Sequence, residues 1–195
     1  NNIIHDIMLL NSLGVRLVLV HGSRPQIEER LALRGIRSQY HNDLRVTDID
    51  TLSCVIDAVG SLRIAIEARL CAQQSGSRLR VVSGNLVTAK PIGVVDGVDF
   101  HHTGEVRRID RKAITRHLDE QNIVLLSSLG YSPTGEAFNL ACEDVATSVA
   151  VALGADKLIL FGEDTGIRDE DGELLRELKP TRAAPLLAKL GNSQP

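Results

Sequence analysis

The chain has 195 residues, with 22 basic and 25 acidic side chains, a formal charge of −3, and 43% hydrophobic against 24% charged residues. That balance belongs to a soluble globular protein able to bury a sizeable core as one domain, or at most two small ones. It excludes a dedicated nucleic-acid binder, which needs a net basic face; no apolar run approaches the roughly 20 residues that cross a bilayer, and the N-terminus has no basic-then-apolar signal pattern.

A cytoplasmic domain is the expectation left standing, with no membrane and no nucleic acid among its partners. Aromatics are only 3%, three Phe and two Tyr with no Trp. The core must therefore come from Leu, Ile, Val and Ala, and stacking platforms for single strands are not expected. The start, Asn1-Asn2-Ile3-Ile4, lacks an initiator Met and already lies within an amphipathic pattern. The chain thus reads as a piece of something longer. Cys54, Cys71 and Cys142 are isolated, with no CxxC pair, so they read as free thiols rather than zinc ligands or a disulfide framework.

Ile3, Ile4, Ile7, Met8 and Leu10 follow helical spacing, and Gly14 is placed to stop that helix. Arg16 to Val20 is a short apolar run, predicted as a strand buried on both faces. The loop His21-Gly22-Ser23-Arg24-Pro25 leads into a helix over Gln26 to Arg34. Asp48 to Gln73 is a long helical stretch with Thr47 or Asp48 as its cap. Gly60 within it predicts a break or a close helix contact. Leu79 to Ser83 is strand-like, and Asn85 to Ile92 followed by Gly93, Gly97 and Gly104 predicts short strands and hairpins.

Asp110 is placed to cap a helix running to about Gln121, and Ile123 to Leu126 is a buried strand. Cys142 to Leu153 is helical with Gly154 after it, and Lys157 to Phe161 is a further strand. Asp169-Glu170-Asp171-Gly172 has the composition of a hairpin tip. A last helix is predicted from Ala183 to Leu190. Strands alternating with helices imply an α/β fold, an open and mainly parallel sheet sandwiched by helices with short β-hairpins, as one domain over 1–195.

Chemistry-bearing residues gather in a few places. The loop from Val20 through Gly22, Ser23 and Arg24 joins a buried strand to a helix start, where free N–H groups and the helix dipole form an anion site. Arg24 would add a bidentate fork; a plain βα connection with a solvated Arg24 is the alternative. Arg45, in Leu44-Arg45-Val46-Thr47-Asp48, precedes a helix and could reach a ligand carboxylate, or pair with Asp43 or Asp48 at the surface. Asn139, Glu143 and Asp144 stand where a strand end meets a helix start. They could hold a metal or orient a Lys, although acids in a first turn more often complement the dipole. His101 and His102 are adjacent and point to opposite faces of a strand, which does not suit one metal. Neither GxxxxGK[ST] nor GxGxxG occurs.

In order and spacing, His21-Gly22-Ser23-Arg24-Pro25-Gln26, Leu44-Arg45-Val46-Thr47-Asp48, Phe138-Asn139-Leu140-Ala141-Cys142-Glu143 and Asp156-Lys157-Leu158-Ile159-Leu160 resemble the amino acid kinase fold over nearly the whole chain. They look like the HGGGPQ loop, the RVTD segment that holds the substrate carboxylate, and the NVNAD segment of an acetylglutamate kinase. Five departures argue against phosphoryl transfer. Ser23 and Arg24 stand where the kinase has glycines that let backbone approach phosphate. Ala141 replaces the second Asn, Glu143 replaces the Asp, and Gly162-Glu163-Asp164-Thr165-Gly166 replaces the nucleotide-side SDVSG. The kinase's first KxGG strand is also not found.

With Thr103-Gly104-Glu105-Val106-Arg107-Arg108-Ile109-Asp110 and Gly135-Glu136-Ala137-Phe138-Asn139-Leu140, the altered set is similar to one branch, the kinase-like N-terminal domain of bacterial N-acetylglutamate synthases. The resemblance implies a regulatory domain that builds a homo-oligomer and responds to arginine. It implies a C-terminal GNAT domain on the same chain that moves acetyl from acetyl-CoA to glutamate in arginine biosynthesis. The first strand and the GNAT domain are expected outside 1–195, as is much of the arginine site. No catalytic residue, metal or cofactor is expected within 1–195. A retained kinase-like pocket is expected at Gly22, Ser23, Arg24, Arg45, Asn139 and Glu143. The segment Cys71 to Ser77 is shorter than the family's hairpin there. The alternative function is an active kinase phosphorylating N-acetylglutamate with ATP.

Overall fold

The computed structural model describes residues 2–72 and 79–162, together with 166, 168, 173–179, 181 and 183. They fall into two compact units, 1–158 and 159–195. The first unit opens with helix α1 (Asn2–Ser12), strand β1 (Val18–His21) and helix α2 (Arg24–Leu33). A hairpin of β2 (Gln39–His41) and β3 (Leu44–Val46) follows, then the long helix α3 (Ile49–Ala72). The short strands β4 (Val81–Val82), β5 (Val87–Pro91), β6 (Val94–Val95), β7 (Val98–Asp99) and β8 (Gly104–Ile109) lead to helix α4 (Arg111–Asp119). Strands β9 (Ile123–Ser127), β10 (Leu129–Tyr131) and β11 (Ala137–Asn139) precede helix α5 (Cys142–Leu153).

A three-stranded sheet in the order β1-β9-β4 is wholly parallel, with Val18 opposite Val124 and Val81 opposite Ile123. A four-stranded sheet, β11-β10-β5-β8, is mixed; β10 runs parallel to β5, and its other pairs are antiparallel. Strand β9 is buried from Ile123 to Leu126, because helices cover both of its faces. Val124 and Leu126 join Ile109, Ile114, Leu118, Val145 and Val149 in a core cluster beneath α4 and α5. A second cluster, with Ile27, Leu31, Val55, Ala58 and Val59, locks α2 against α3. The interior is largely aliphatic, as the composition requires, although Phe100 and Phe138 are also buried.

Local chemistry explains the element ends. Asp48 Oδ1 accepts from the Thr51 amide at 2.8 Å and Asp110 Oδ1 from the Ala113 amide at 3.0 Å, each satisfying a free helix donor. Gly154 closes α5 in the left-handed region at φ +63. The turn between β2 and β3 places Asn42 at φ 50 and Asp43 at φ 60, a conformation these two residue types tolerate. Asn42 Nδ2 donates to Asp96 Oδ2 at 3.2 Å, tying this turn to that between β6 and β7.

Several expectations change. β1 is only half-buried, since among the described residues it is an edge strand paired with β9 alone. Helix α2 begins at Arg24, so Pro25 sits one residue into it. Gly60 neither breaks α3 nor meets a neighbour; a Cβ there would enter open space. Residues 157–161 form no strand, and Leu158, Ile159, Leu160 and Phe161 are exposed. An apolar run becomes a strand only beside a partner whose N–H and C=O groups it can meet, and the described residues offer it none.

In the second unit, Arg168 and Leu174 form an antiparallel bridge. The predicted tip 169–172 between them lies outside the described residues, as do residues 73–78, most of 162–166 and the predicted last helix beyond Ala183. None of the described helices is long and apolar enough to cross a membrane.

Gly104 marks a tight point of the mixed sheet. A Cβ there would lie 2.8 Å from both the Lys90 carbonyl and Phe138 Cβ. We expect Gly104→Ala to cost about 2 kcal/mol of stability, as overpacking against backbone does. Gly60→Ala should instead gain about 0.5–1 kcal/mol from helix propensity; urea unfolding of both variants checks the pair.

Candidate functional site

The loop after β1 turns sharply into α2 and brings Gly22 against the start of α5. A Cβ at Gly22 would come 3.0 Å from Cys142 Sγ, so a side chain here would have to push that sulfur back by a few tenths of an ångström. Around this contact lies a cleft of about 180 Å³ lined by Gly22, Ser23, Arg24, Arg45, Asn139 and Glu143. Asp43, Tyr40, Thr103 and Ser128 complete its polar wall, and Ile27, Leu44 and Leu140 its apolar one. The structure thus brings the residues singled out in the sequence to one place; Asp144, in the exposed first turn of α5, is not among the lining residues.

Arg45 does not pair with Asp43 or Asp48. It is buried, with only 7% exposed, because β3 turns its side chain beneath α2. Its Nη2 donates to Glu28 Oε1 at 2.7 Å and its Nη1 to Ser38 Oγ at 2.5 Å. Glu28 also accepts from Ser38 Oγ at 2.7 Å and from the Tyr40 hydroxyl at 2.9 Å. Partial burial works against the Glu28 charge, but the hydrogen bonds from Ser38, Arg45 and Tyr40 outweigh it and hold the carboxyl below its ordinary range. The Tyr40 ring meets two guanidinium groups, Arg45 at 4.8 Å and Arg24 at 5.1 Å from its centroid. Arg24 Nε donates to the Tyr40 hydroxyl at 3.4 Å, which, more than the nearby Glu28 and Glu143, strengthens its hold on its proton.

Behind the cleft lies a buried polar bridge. The Thr103 hydroxyl donates to the Arg45 carbonyl and shares a 2.8 Å hydrogen bond with the Thr47 hydroxyl. Asn139 Nδ2 donates to the same Thr47 Oγ1 at 3.1 Å. Asn139 is thereby held in place by a residue 92 positions away.

Two buried atoms on this side have no partner, Ser23 Oγ and His21 Nε2. Burial lowers the His21 pKa, so the imidazole is held neutral. Burial, with Glu143 beside it, pushes the Cys142 thiol up to about 11. A thiol so held is protonated near neutral pH and is no nucleophile. His101 Nδ1 lies 3.5 Å from Asp99 Oδ2. The described residues contain no group of three or more His, Cys, Asp or Glu placed to hold a metal ion.

Sequence reasoning missed Glu28, Ser38 and Tyr40. They lie 17, 7 and 5 residues before Arg45 on α2, the connecting loop and β2, and no local pattern links them.

A family model described as the amino acid kinase family matches residues 1–189. The amino-acid acetyltransferase of Ectopseudomonas mendocina (strain ymp) is 68% identical over 197 residues, covering 98% of this chain and 46% of that protein. That of Pseudomonas putida (strain GB-1) is 68% identical over 196 residues, covering 98% and 45%. The chain therefore spans about half the length of these curated relatives. Among solved structures, N-acetylglutamate synthase from Neisseria gonorrhoeae, complexed with coenzyme A and N-acetyl-glutamate, superimposes with a TM-score of 0.87 at 40% identity, covering 97% of this chain and 44% of that one. The same enzyme complexed with coenzyme A and L-arginine gives 0.85 at 41%, covering 94% and 44%. A Giardia carbamate kinase, at 15% identity and a TM-score of 0.66 over 97% of this chain and 72% of that one, shares the fold. The acetyltransferase relatives lend no support to the kinase alternative.

Glu28→Gln leaves Arg45 buried beside a neutral partner. With Glu28 itself 44% exposed, the cost should be about 1–2 kcal/mol, less than for a fully buried pair, read from urea midpoints. His21 gives a pH signature. Below its ordinary pKa of 6.5 the unfolded chain takes up a proton that the folded chain resists, so stability is complete above that pH and declines as pH falls below it. His21→Gln should flatten that part of the stability–pH curve, and a curve of unchanged slope would count against the assignment.

Proposed function

The chain belongs to the amino acid kinase family, and on that premise we propose that it is the regulatory and assembly domain of an N-acetylglutamate synthase. In this reading 1–195 is one kinase-like domain of a longer cytoplasmic protein that assembles as a homo-oligomer. A GNAT domain on the same chain carries out the reaction. There the glutamate amine attacks the acetyl carbonyl of acetyl-CoA, the C–N bond forms, and the C–S bond breaks with release of the thiol. Arginine acts as the feedback inhibitor of this first step of arginine biosynthesis.

The observation that carries this reading is the fate of the kinase machinery at the cleft. Phosphoryl transfer depends on a backbone cradle and positioned charges around the phosphate. Here Ser23 is buried where the resemblance calls for glycine, and Arg24 leans on Tyr40. Arg45, the counterpart of the residue that holds the kinase substrate's carboxylate, is already bonded to Glu28 and Ser38. Ala141 and Glu143 replace the Asn and Asp of the catalytic segment. The 68% identity to named amino-acid acetyltransferases supports the same conclusion.

The deciding assay uses the whole protein from which this chain is drawn. We expect acetyl-CoA-dependent acetylation of L-glutamate, inhibited by arginine, and no ATP-dependent phosphorylation of N-acetylglutamate. Replacing Ser23 and Arg24 by Gly together should not create kinase activity. Turnover of ATP against N-acetylglutamate would overturn the proposal.

A further inference from the structure

A second cavity lies away from the cleft, where the two sheets part. Strand β4 stops at Val82, opposite Val124 of β9, and the chain passes through Ser83, Gly84 and Asn85 into β5 of the other sheet. Strand β9 ends at Ser127, and its chain likewise crosses into β10, beside β5. The Ile123 amide donates to Arg80 at the β4 edge, and the Val124 amide to Leu17 on the β1 side. By alternation, the backbone groups of Leu125 and Ser127 face the edge where β4 has already ended. A gap of about 100 Å³ remains there, and Arg63 of α3 joins its lining. The Arg63 side chain is 45% exposed and Tyr131 40%, so the gap is open to solvent.

The lining residues include a cation and no acid. Arg63 Nε lies 3.7 Å from Glu67 Oε1, beyond hydrogen-bond reach, and Glu67 accepts instead from Ser83 Oγ at 2.8 Å. Both Nη atoms of Arg63 are without a hydrogen bond among the described residues, as are the side chains of Asn85, Ser127 and Tyr131. A guanidinium with its Nη pair free matches the two oxygens of a carboxylate, to which an amide and two hydroxyls can also donate. One cation, with Glu67 beside it, leaves a dianion such as sulfate under-neutralised. Val87, Leu125 and Leu129 give the gap an apolar side, which suits an alkyl group better than further oxygens. At about 30 Å³ for each water, the gap has room for roughly three waters, or for one carboxylate of acetate size.

We propose that this gap binds a short-chain carboxylate of acetate size, its oxygens held by Arg63, Asn85, Ser127 and Tyr131 and its alkyl group against the apolar side. The inference goes beyond the acetyltransferase reading and does not depend on it. The site is distinct from the cleft at Gly22.

Titration of the isotope-labelled protein with acetate, acetamide and sulfate at constant ionic strength, followed by its amide NMR signals, tests it. Acetate should shift the amides of Gly84, Asn85 and Ser127 along one saturable curve, with the Gly22 amide reporting the cleft separately. Acetamide, which has the shape without the charge, and sulfate should each bind at least about tenfold more weakly. Arg63→Gln and Tyr131→Phe should each weaken acetate by about tenfold, the loss of one hydrogen bond to a charged group. The titrations of the unaltered protein decide the proposal even where a variant fails to fold. No saturable shift of these three amides, a shift confined to Gly22, acetamide or sulfate binding as tightly as acetate, or acetate binding undiminished in both variants would overturn it.

Discussion

The buried bridge among Thr47, Thr103 and Asn139 is the constraint on which the cleft depends. Each of these side chains is more than nine-tenths buried, so each must find its partners inside the protein. Backbone pairing reinforces the bridge: the His102 amide donates to the Thr47 carbonyl and the Asn139 amide to the His102 carbonyl, both at 2.9 Å. Residues 100–103 thus lie between the β2–β3 hairpin and β11 and join them. Loss of the Thr47 hydroxyl would leave the buried Asn139 Nδ2 without this partner and the Thr103 hydroxyl with the Arg45 carbonyl alone, and such coupled networks specify a single arrangement. Arg45 and Asn139 occupy fixed places on the cleft wall because they flank this bridge.

From that anchoring follows the second feature, the internal closure of charge around Arg45. A buried guanidinium tolerates no empty carboxylate position, and Glu28 fills it from the adjacent helix. Tyr40 then serves both sides, its hydroxyl donating to Glu28 and its ring facing Arg45 and Arg24. In a kinase the corresponding arginine meets a substrate. Here the chain supplies Arg45 with its own carboxylate.

Legibility followed the range of the interaction. Asp110 as a helix cap, Gly154 as a stop and Ile123 to Leu126 as a buried strand were all readable, since each depends on neighbours within a few residues. The positions of Gly22, Arg45 and Asn139 were readable as candidates because their motifs kept family order. Glu28 was not, because on α2 it looks like any solvated acid in a helix. Residues 157–161 misled for a related reason: an apolar run states what should be buried but not which strand will receive it. Gly60 misled in the opposite sense, since a glycine in a long helix can equally be an unremarkable position with open space beside it.

The 195 residues by themselves determined an aromatic-poor α/β chain, its helix ends, a buried strand and its kinship, because periodicity, caps and motif order are properties of adjacent residues. Tertiary structure alone decided that Arg45 belongs to Glu28, that Asn139 hangs from Thr47, and that Ser23 is buried with its hydroxyl unpaired. Those outcomes turn on groups 17 and 92 residues apart and on the meeting of two helix ends. No local pattern encodes such encounters; they exist only once the sheets and helices have packed.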